Sequence, residues 1–279
     1  MATKTSLLGL TKPAYTEAAD IAVLNNNFDL IDRAVGNGKY VRNELDNSDF
    51  TPGRLINQRG TTNYTQSGTY FVDRWITDIA NNGATVIVGN GGITFQPQNG
   101  NYAGICQKLE RHEQMKGKTY TFAVCVNDVW ECTVFQLGNH GRGSVFANGL
   151  SFFSVEYAPV LLRSGNGRMI TVQRVALYEG AYTAETLPAY QYKGYAAELA
   201  ECQRYYQTAY SIYGANAGSV ARESIVLRPA MRVAPTVSVV HSWEGNAESG
   251  HSVLTAAADY VDMSYAGWGN VRFGFSADL

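Results

Sequence analysis

Along the first 42 residues the apolar positions follow a helical period. Ile21, Leu24, Phe28, Ile31 and Val35 recur at spacings of 3, 4, 3 and 4, the a/d stripe of helices that pack against copies of themselves. Thr16 stands where an N-cap is expected, Glu17 and Asp20 fall in the first turn, and Gly36 ends the run. Each suits its end of a helix. Only two heptads are present, and Asn25, Asn26 and Asn27 are poor helix formers. Such a helix is marginal alone and needs a partner. Either the chain's own body or another copy of the chain fits that role. Residues 1–42 are therefore expected to be an anchoring or oligomerisation segment.

From 43 to 188 the pattern changes to that of strands. "TYFVDRWI", "GATVIVGNGGITFQ", "KTYTFAVCVNDVWECTVFQL" and "GLSFFSVEYAPVLLRSGNGRMITVQRVALY" are β-branched and aromatic runs broken by turn signals. About eight short strands of this kind predict an antiparallel β-sandwich of the jelly-roll type. "VGNGGI" resembles a phosphate-cradling loop, but Ile93-Thr94-Phe95 continues into a strand, so a hairpin turn is expected. Asn166-Gly167 fits a type I′ hairpin. Trp75 is expected to plug the sandwich, Gln58-Arg59-Gly60 to leave an early strand, and Asp73 and Arg74 to point to opposite faces of a strand. Arg59 is a partner able to draw one of that pair inward.

Residues 189–279 open with a short helix, in which Leu199, Cys202 and Tyr206 recur at helical spacing. Strand patterns then return in a small C-terminal β domain, with Pro229 and Pro235 marking an edge or a bend. The chain as a whole is thus expected to be mainly β: an N-terminal helix, a sandwich, a short helix and a second β unit.

Composition narrows the chemistry. Charged residues are 16% of the chain against 45% hydrophobic, with 28 Gly and 18 Tyr, which favours short strands, tight turns and rings that pack and hydrogen-bond together. A formal charge of −2 supplies no bulk attraction for nucleic acid or anionic lipid. No stretch has the apolar length of a membrane span, and the opening residues lack the apolar core of a secretory signal. Folding in a cytoplasm is expected. Cys106, Cys125, Cys132 and Cys202 lack CxxC spacing and read as buried free thiols. His112, His140, His241 and His251 are scattered, with no metal motif among them. Glu110 with Glu113, or Asp128 with Glu131, are acidic pairs on paper. Nothing assembles around them, so no catalytic centre, metal or cofactor is expected. Aromatic platforms for a sugar ring are the better candidates. Trp130, Tyr102 and Phe152 offer them in the sandwich, and Trp243, Tyr265 and Trp268 in the last unit, where "HSWEGN" and "YAGWGN" read as exposed loops.

Several stretches resemble one family. "LLGLTKPAYTEAADIAVLNNNFDLIDRAVG" resembles the leader of bacteriophage and prophage tail and baseplate appendage proteins. "ELDNSDF", "INQRG" and "DRW" look like the opening of the carbohydrate-binding-module-like jelly roll found in them, and "ITVQRVALYEGAYTAETLP" is similar to its close. "ELAECQRYYQ", "RPAMRVAPTVSV" and "FSADL" resemble their C-terminal part. The resemblance implies a virion structural protein, usually a homotrimer, held by its N-terminus to tail or baseplate and presenting its other end to host surface glycan. A long repetitive shaft is missing from the pattern, so a compact appendage is implied. A purely structural tail component without ligand is the alternative, and a glycan-cleaving depolymerase a third.

Overall fold

The computed structural model describes residues 3–5, 10–13, 20–38, 41–80, 83–98, 100–139, 144–156, 158–214, 220–245, 251–266 and 268–279. Near the N-terminus β1 (Thr3–Lys4) pairs antiparallel with β2 (Thr11–Lys12), and α1 spans Ile21–Gly38. Asp20 caps the helix: its carboxylate accepts the Ala22 amide at 2.8 Å and its carbonyl accepts Leu24 N–H. The cap expected at Thr16 lies outside the described residues. Asn27, a poor helix former, has a job that explains it. Its side-chain amide grips Thr11 at both N–H (2.8 Å) and carbonyl (2.9 Å), tying β2 to the helix.

The sandwich is built from β3 (Asn63–Tyr64), β4 (Ile76–Ile79), β5 (Thr85–Gly89), β6 (Gly92–Gln96) and β7 (Tyr102–Gln107). After a single turn of α2 (His112–Met115) come β8 (Thr119–Val126), β9 (Val129–Gln136), β10 (Ser151–Val155), β11 (Ala158–Gly165), β12 (Ile170–Val172) and β13 (Arg174–Glu179). One layer runs β10-β11-β7-β4. The other consists of β12-β6-β5-β3 and β13-β8-β9, joined where Gln173 alone separates β12 from β13. All of these pairings are antiparallel. Each one or two strands the chain crosses to the opposite layer, the hand-over of a jelly roll. Between the layers Phe50, Phe71, Trp75, Phe95, Phe122 and Phe152 are buried, with Phe122 stacked on Phe152 at 4.4 Å.

Turn chemistry divides into one expectation met and one corrected. Asn90-Gly91 closes the β5–β6 hairpin, with Gly89 opposite Gly92. Asn166 (φ 55°) and Gly167 (φ 72°) do adopt type I′ angles, closed by Arg168 N–H on the Gly165 carbonyl. They make no hairpin, because β11 and β12 belong to opposite layers. A turn fixes local direction, whereas burial of each strand's apolar face selects its partner.

The C-terminal unit begins with α3 (Tyr195–Gln203), which stops before Tyr206; that residue opens β14 (Tyr206–Gly214) instead of continuing the helix. β15 (Val220–Val226), β16 (Thr236–Gly245), β17 (His251–Ala256), β18 (Tyr260–Ala266) and β19 (Trp268–Ser276) follow. They form two three-stranded sheets, β14-β19-β16 and β15-β18-β17, around a second core of Tyr213, Ile225, Met263, Tyr265, Phe273 and Phe275. Pro229 and Pro235 sit in the connection before β16, where no ladder needs their missing N–H.

A buried polar seam joins the two β units. Trp75 is enclosed, edge-on to Phe50 at 5.4 Å, and its indole N–H donates to the Asn47 carbonyl at 2.9 Å. Asp73 and Arg74 are not on a strand but in the turn before Trp75, with Arg74 at φ 74°. The turn lets both side chains go inside, at 0% and 2% exposure. Asp73 accepts from Gln58 N–H (2.8 Å) and from Arg59 (3.4 Å). Gln58 and Arg59 themselves sit in a turn, where Arg59 also binds Asp278 and lies 3.8 Å over the Tyr206 ring. Arg74 donates to Asp46 (3.0 Å) and to the Lys108 carbonyl (3.1 Å) and lies 3.6 Å over Tyr205.

Two expectations follow. Trp75→Ala should lower unfolding free energy by about 3–5 kcal/mol in urea denaturation, the cost of emptying a packed aromatic site. Burial also pushes the Asp73 carboxyl up to about 6, against the opposing pull of Gln58 and Arg59. A carboxyl raised in the folded state favours folding below its ordinary range near 3.8 and loses that contribution as pH rises through 6. Stability should therefore decline between pH 4 and pH 6.5 in part through Asp73, and Asp73→Asn should flatten the decline.

Candidate functional site

The register of the β13-β8-β9 sheet puts three small side chains in one row, Ala176 opposite Ala123 opposite Cys132. Alternation keeps that row on one face with Tyr178 and Trp130, so the face carries a valley between two large rings. A strap of chain, residues 180–190, crosses it. Thr121 holds the strap's start: its hydroxyl donates to the Gly180 carbonyl (2.8 Å) and accepts from Tyr182 N–H (2.9 Å). A turn at Thr183–Thr186 reverses the strap, closed by Thr186 N–H on the Thr183 carbonyl at 3.1 Å. Tyr182, Leu187 and Tyr190 then pack over Ala123, Ala176 and Tyr178, and Trp130 stacks on Tyr190 at 5.7 Å and 30°.

The strap leaves two adjoining hollows. The inner one, about 170 Å³, is lined by Trp130, Tyr178, Ala184, Leu187, Pro188, Ala189 and Tyr190. The outer one, about 440 Å³, meets Trp130, Cys132, Val134, Tyr182 and Ala184 on one side and residues 144–147 on the other. Trp130 and Ala184 line both. Glu131 also borders the outer hollow, and its two oxygens accept the Ala147 and Asn148 amides, which holds the 144–148 segment against β9. Among the described residues no Lys, Arg or His lines either hollow. Burial raises the Cys132 thiol, so it remains protonated and unreactive at neutral pH.

The sequence-predicted aromatics have separate fates. Trp130 is half-buried at this double hollow. Tyr102 is half-buried on β7 elsewhere, its ring 4.0 Å beneath the Arg163 guanidinium, which in turn pairs with Asp78. Phe152 is a core ring. Tyr265 is corrected from ligand platform to core: it is 1% exposed, stacked on Tyr213 at 4.1 Å, with its hydroxyl on Glu223. Its position on the inward face of β18 leaves no ring surface for a ligand. Trp243 and Trp268 lie on strands instead of in loops, Trp243 at a register shift in β16 and Trp268 opposite Gly214 at the start of β19. Their side chains are outside the described residues. The sequence reading missed Ala184, Tyr182 and Tyr190, and named Glu131 only as half of an acidic pair with Asp128. Only the excess of Tyr, Ala and Pro in residues 180–190 hinted at a packed strap.

On α1, the stripe residues Ile21 (69%), Leu24 (48%), Phe28 (56%) and Ile31 (37%) are all exposed, and no described side chain of the helix is buried. Val35 lies on the helix, but its side chain is outside the described residues. The paper pairs of acids are taken up separately: Glu110 by Arg204 and Tyr205, Glu113 by Lys116, Asp128 by Arg174, and Glu131 by backbone amides. A cleft of about 250 Å³ at the seam is lined by Arg42, Arg74, Arg111 and Arg204 facing Glu44, Asp46, Glu110 and Glu201. Arg111 pairs with Glu44, Arg74 with Asp46 and Arg204 with Glu110, so this charge is spent on holding the seam. Among the described residues no group of three or more His, Cys, Asp or Glu is arranged to hold a metal ion, and no helix is long and apolar enough to cross a membrane. Compared with protein-family models, curated proteins and solved structures, the chain finds no match.

Proposed function

We propose that this chain is a self-associating appendage of a bacteriophage or prophage tail or baseplate, joined through its N-terminal helix, whose β units bind saccharide on the host surface. The observation that carries the reading is the uncovered stripe of α1. An amphipathic helix lying on its own body would bury Ile21, Leu24, Phe28 and Ile31; here all are exposed. Water-facing apolar rows of this kind gain by packing into one another, and a homotrimer is the assembly that the leader's resemblance to tail proteins implies. Three copies would also multiply weak saccharide sites into useful avidity. The place of action is then the virion, with binding and attachment as its work and no chemical step.

The alternative, a purely structural tail component, is favoured by one specific feature: Tyr265 is a core ring and Tyr102 is taken by Arg163. Host adsorption by purified protein separates the two readings, since the structural component would not bind cells at any valency.

Light scattering on the purified protein should give a mass of three times 30.5 kDa. Phe28→Asp and Leu24→Asp place a charge in the seam of the helices and should shift the mass toward one chain while the β units keep their melting transition. A monomeric parent protein would remove the basis of the proposal.

A further inference from the structure

The pairs that hold the seam cleft leave one buried donor over. Arg74 is 2% exposed and is part of the cleft lining. Its Nε donates to Asp46 and its Nη2 to the Lys108 carbonyl, whereas its Nη1 is enclosed and has no acceptor. An enclosed N–H left in that state costs free energy, and an acceptor brought to it recovers that cost. Arg42 is the second uncommitted group. Its side chain is 52% exposed, and its Nε stands 3.9 Å from a Glu44 carboxylate that Arg111 already holds at 2.5 Å. The other acids of the lining are taken: Asp46 by Arg74, Glu110 by Arg204 and the Tyr205 hydroxyl, and Glu201 by Lys193. Among the described residues the four arginines of the lining and Lys193 thus face four carboxylates, and one positive charge remains. The volume of about 250 Å³ far exceeds the ~15 Å³ that one water needs, so a larger acceptor has room. A guanidinium offers a flat fork of donors, the shape that a carboxylate fits.

We propose that the seam cleft is a subsite for an acidic saccharide: a sugar carboxylate accepts from Arg74 Nη1 and takes Arg42 as its counter-charge. The proposal rests on the saccharide reading above and fixes where on the chain, and for which charge class of sugar, that reading holds. A neutral sugar also brings acceptor oxygens, but its hydrogen bond to a guanidinium lacks the second charge and leaves Arg42 unanswered. Arg42 therefore sets the charge class, and its exposure allows it to change without disturbing the core.

Isothermal titration of the purified protein with glucose and glucuronate oligosaccharides, which differ in carrying a hydroxymethyl group or a carboxylate, tests this. Glucuronate should bind at least about tenfold more tightly, the worth of one charge-assisted hydrogen bond. Arg74→Lys keeps the charge, removes the fork and should cancel the preference. Arg74 also holds the seam, so Arg42→Glu serves as the second variant. It should lower glucuronate affinity at least about tenfold with the melting temperature unchanged. A glucuronate preference that survives Arg42→Glu, or equal affinity for the two sugars, overturns this subsite and leaves saccharide recognition standing at another place on the chain. An unmodified protein that binds neither sugar also overturns the subsite. Adsorption of that protein to host cells then keeps the saccharide reading, and its failure to adsorb removes both.

Discussion

A guanidinium cannot be buried alone, and the architecture of this chain is arranged around that constraint at Arg74. Taking the charge out of water costs several kcal/mol unless partners replace the lost solvation. The partners come from three parts of the chain: Asp46 before the sandwich, the Lys108 carbonyl after β7 and the Tyr205 ring after α3. Burial by itself would raise the Asp46 carboxyl, yet Arg74 and Lys193 outweigh it and hold the group below its ordinary range. Asp46 therefore stays charged where Arg74 needs it. Removing Asp46 would leave the buried Arg74 without a counter-charge.

A second arginine repeats the device and extends it across the seam. Arg59 joins Asp73 of the sandwich to Asp278 beyond β19, while Gln58 donates to both Asp73 and the Tyr206 carbonyl. Lys108 and Tyr70 donate to the Leu279 carbonyl. The two hydrophobic cores are thus separate, and polar groups in defined geometry connect them. Such contacts specify orientation more than they add stability.

The seam also fixes the candidate site, although the two do not touch. The strap that roofs the Trp130 hollows is pinned at its start by Thr121 and at its end by the Tyr190 hydroxyl on Ser48 (3.0 Å) and by Lys193 on Asp46 and Glu201. Ser48, Asp46 and Glu201 belong to the same buried region as Arg74. The course of the strap, and hence the shape of both hollows, depends on charges placed well away from them in sequence.

Strand and helix content, the order of elements and the caging of Trp75 were legible in residue pattern, because period, turn residues and side-chain size act over a few neighbours. The helical stripe of α1 was legible too. Other features were beyond local pattern. Asn166-Gly167 carries type I′ chemistry, but only the burial of β11 and β12 in opposite layers decided that it is a crossing. Tyr265 and Trp130 sit in similar apolar strand sequence; the inward face of β18 buried one, and a strap arriving from fifty residues away left the other half open. Asp73-Arg74 read as a strand pair, and it took partners at positions 46, 59 and 205 to turn both inside. Local sequence sets which conformations a segment favours. Which face is covered, and by what, is settled only when distant segments compete to bury the same surface.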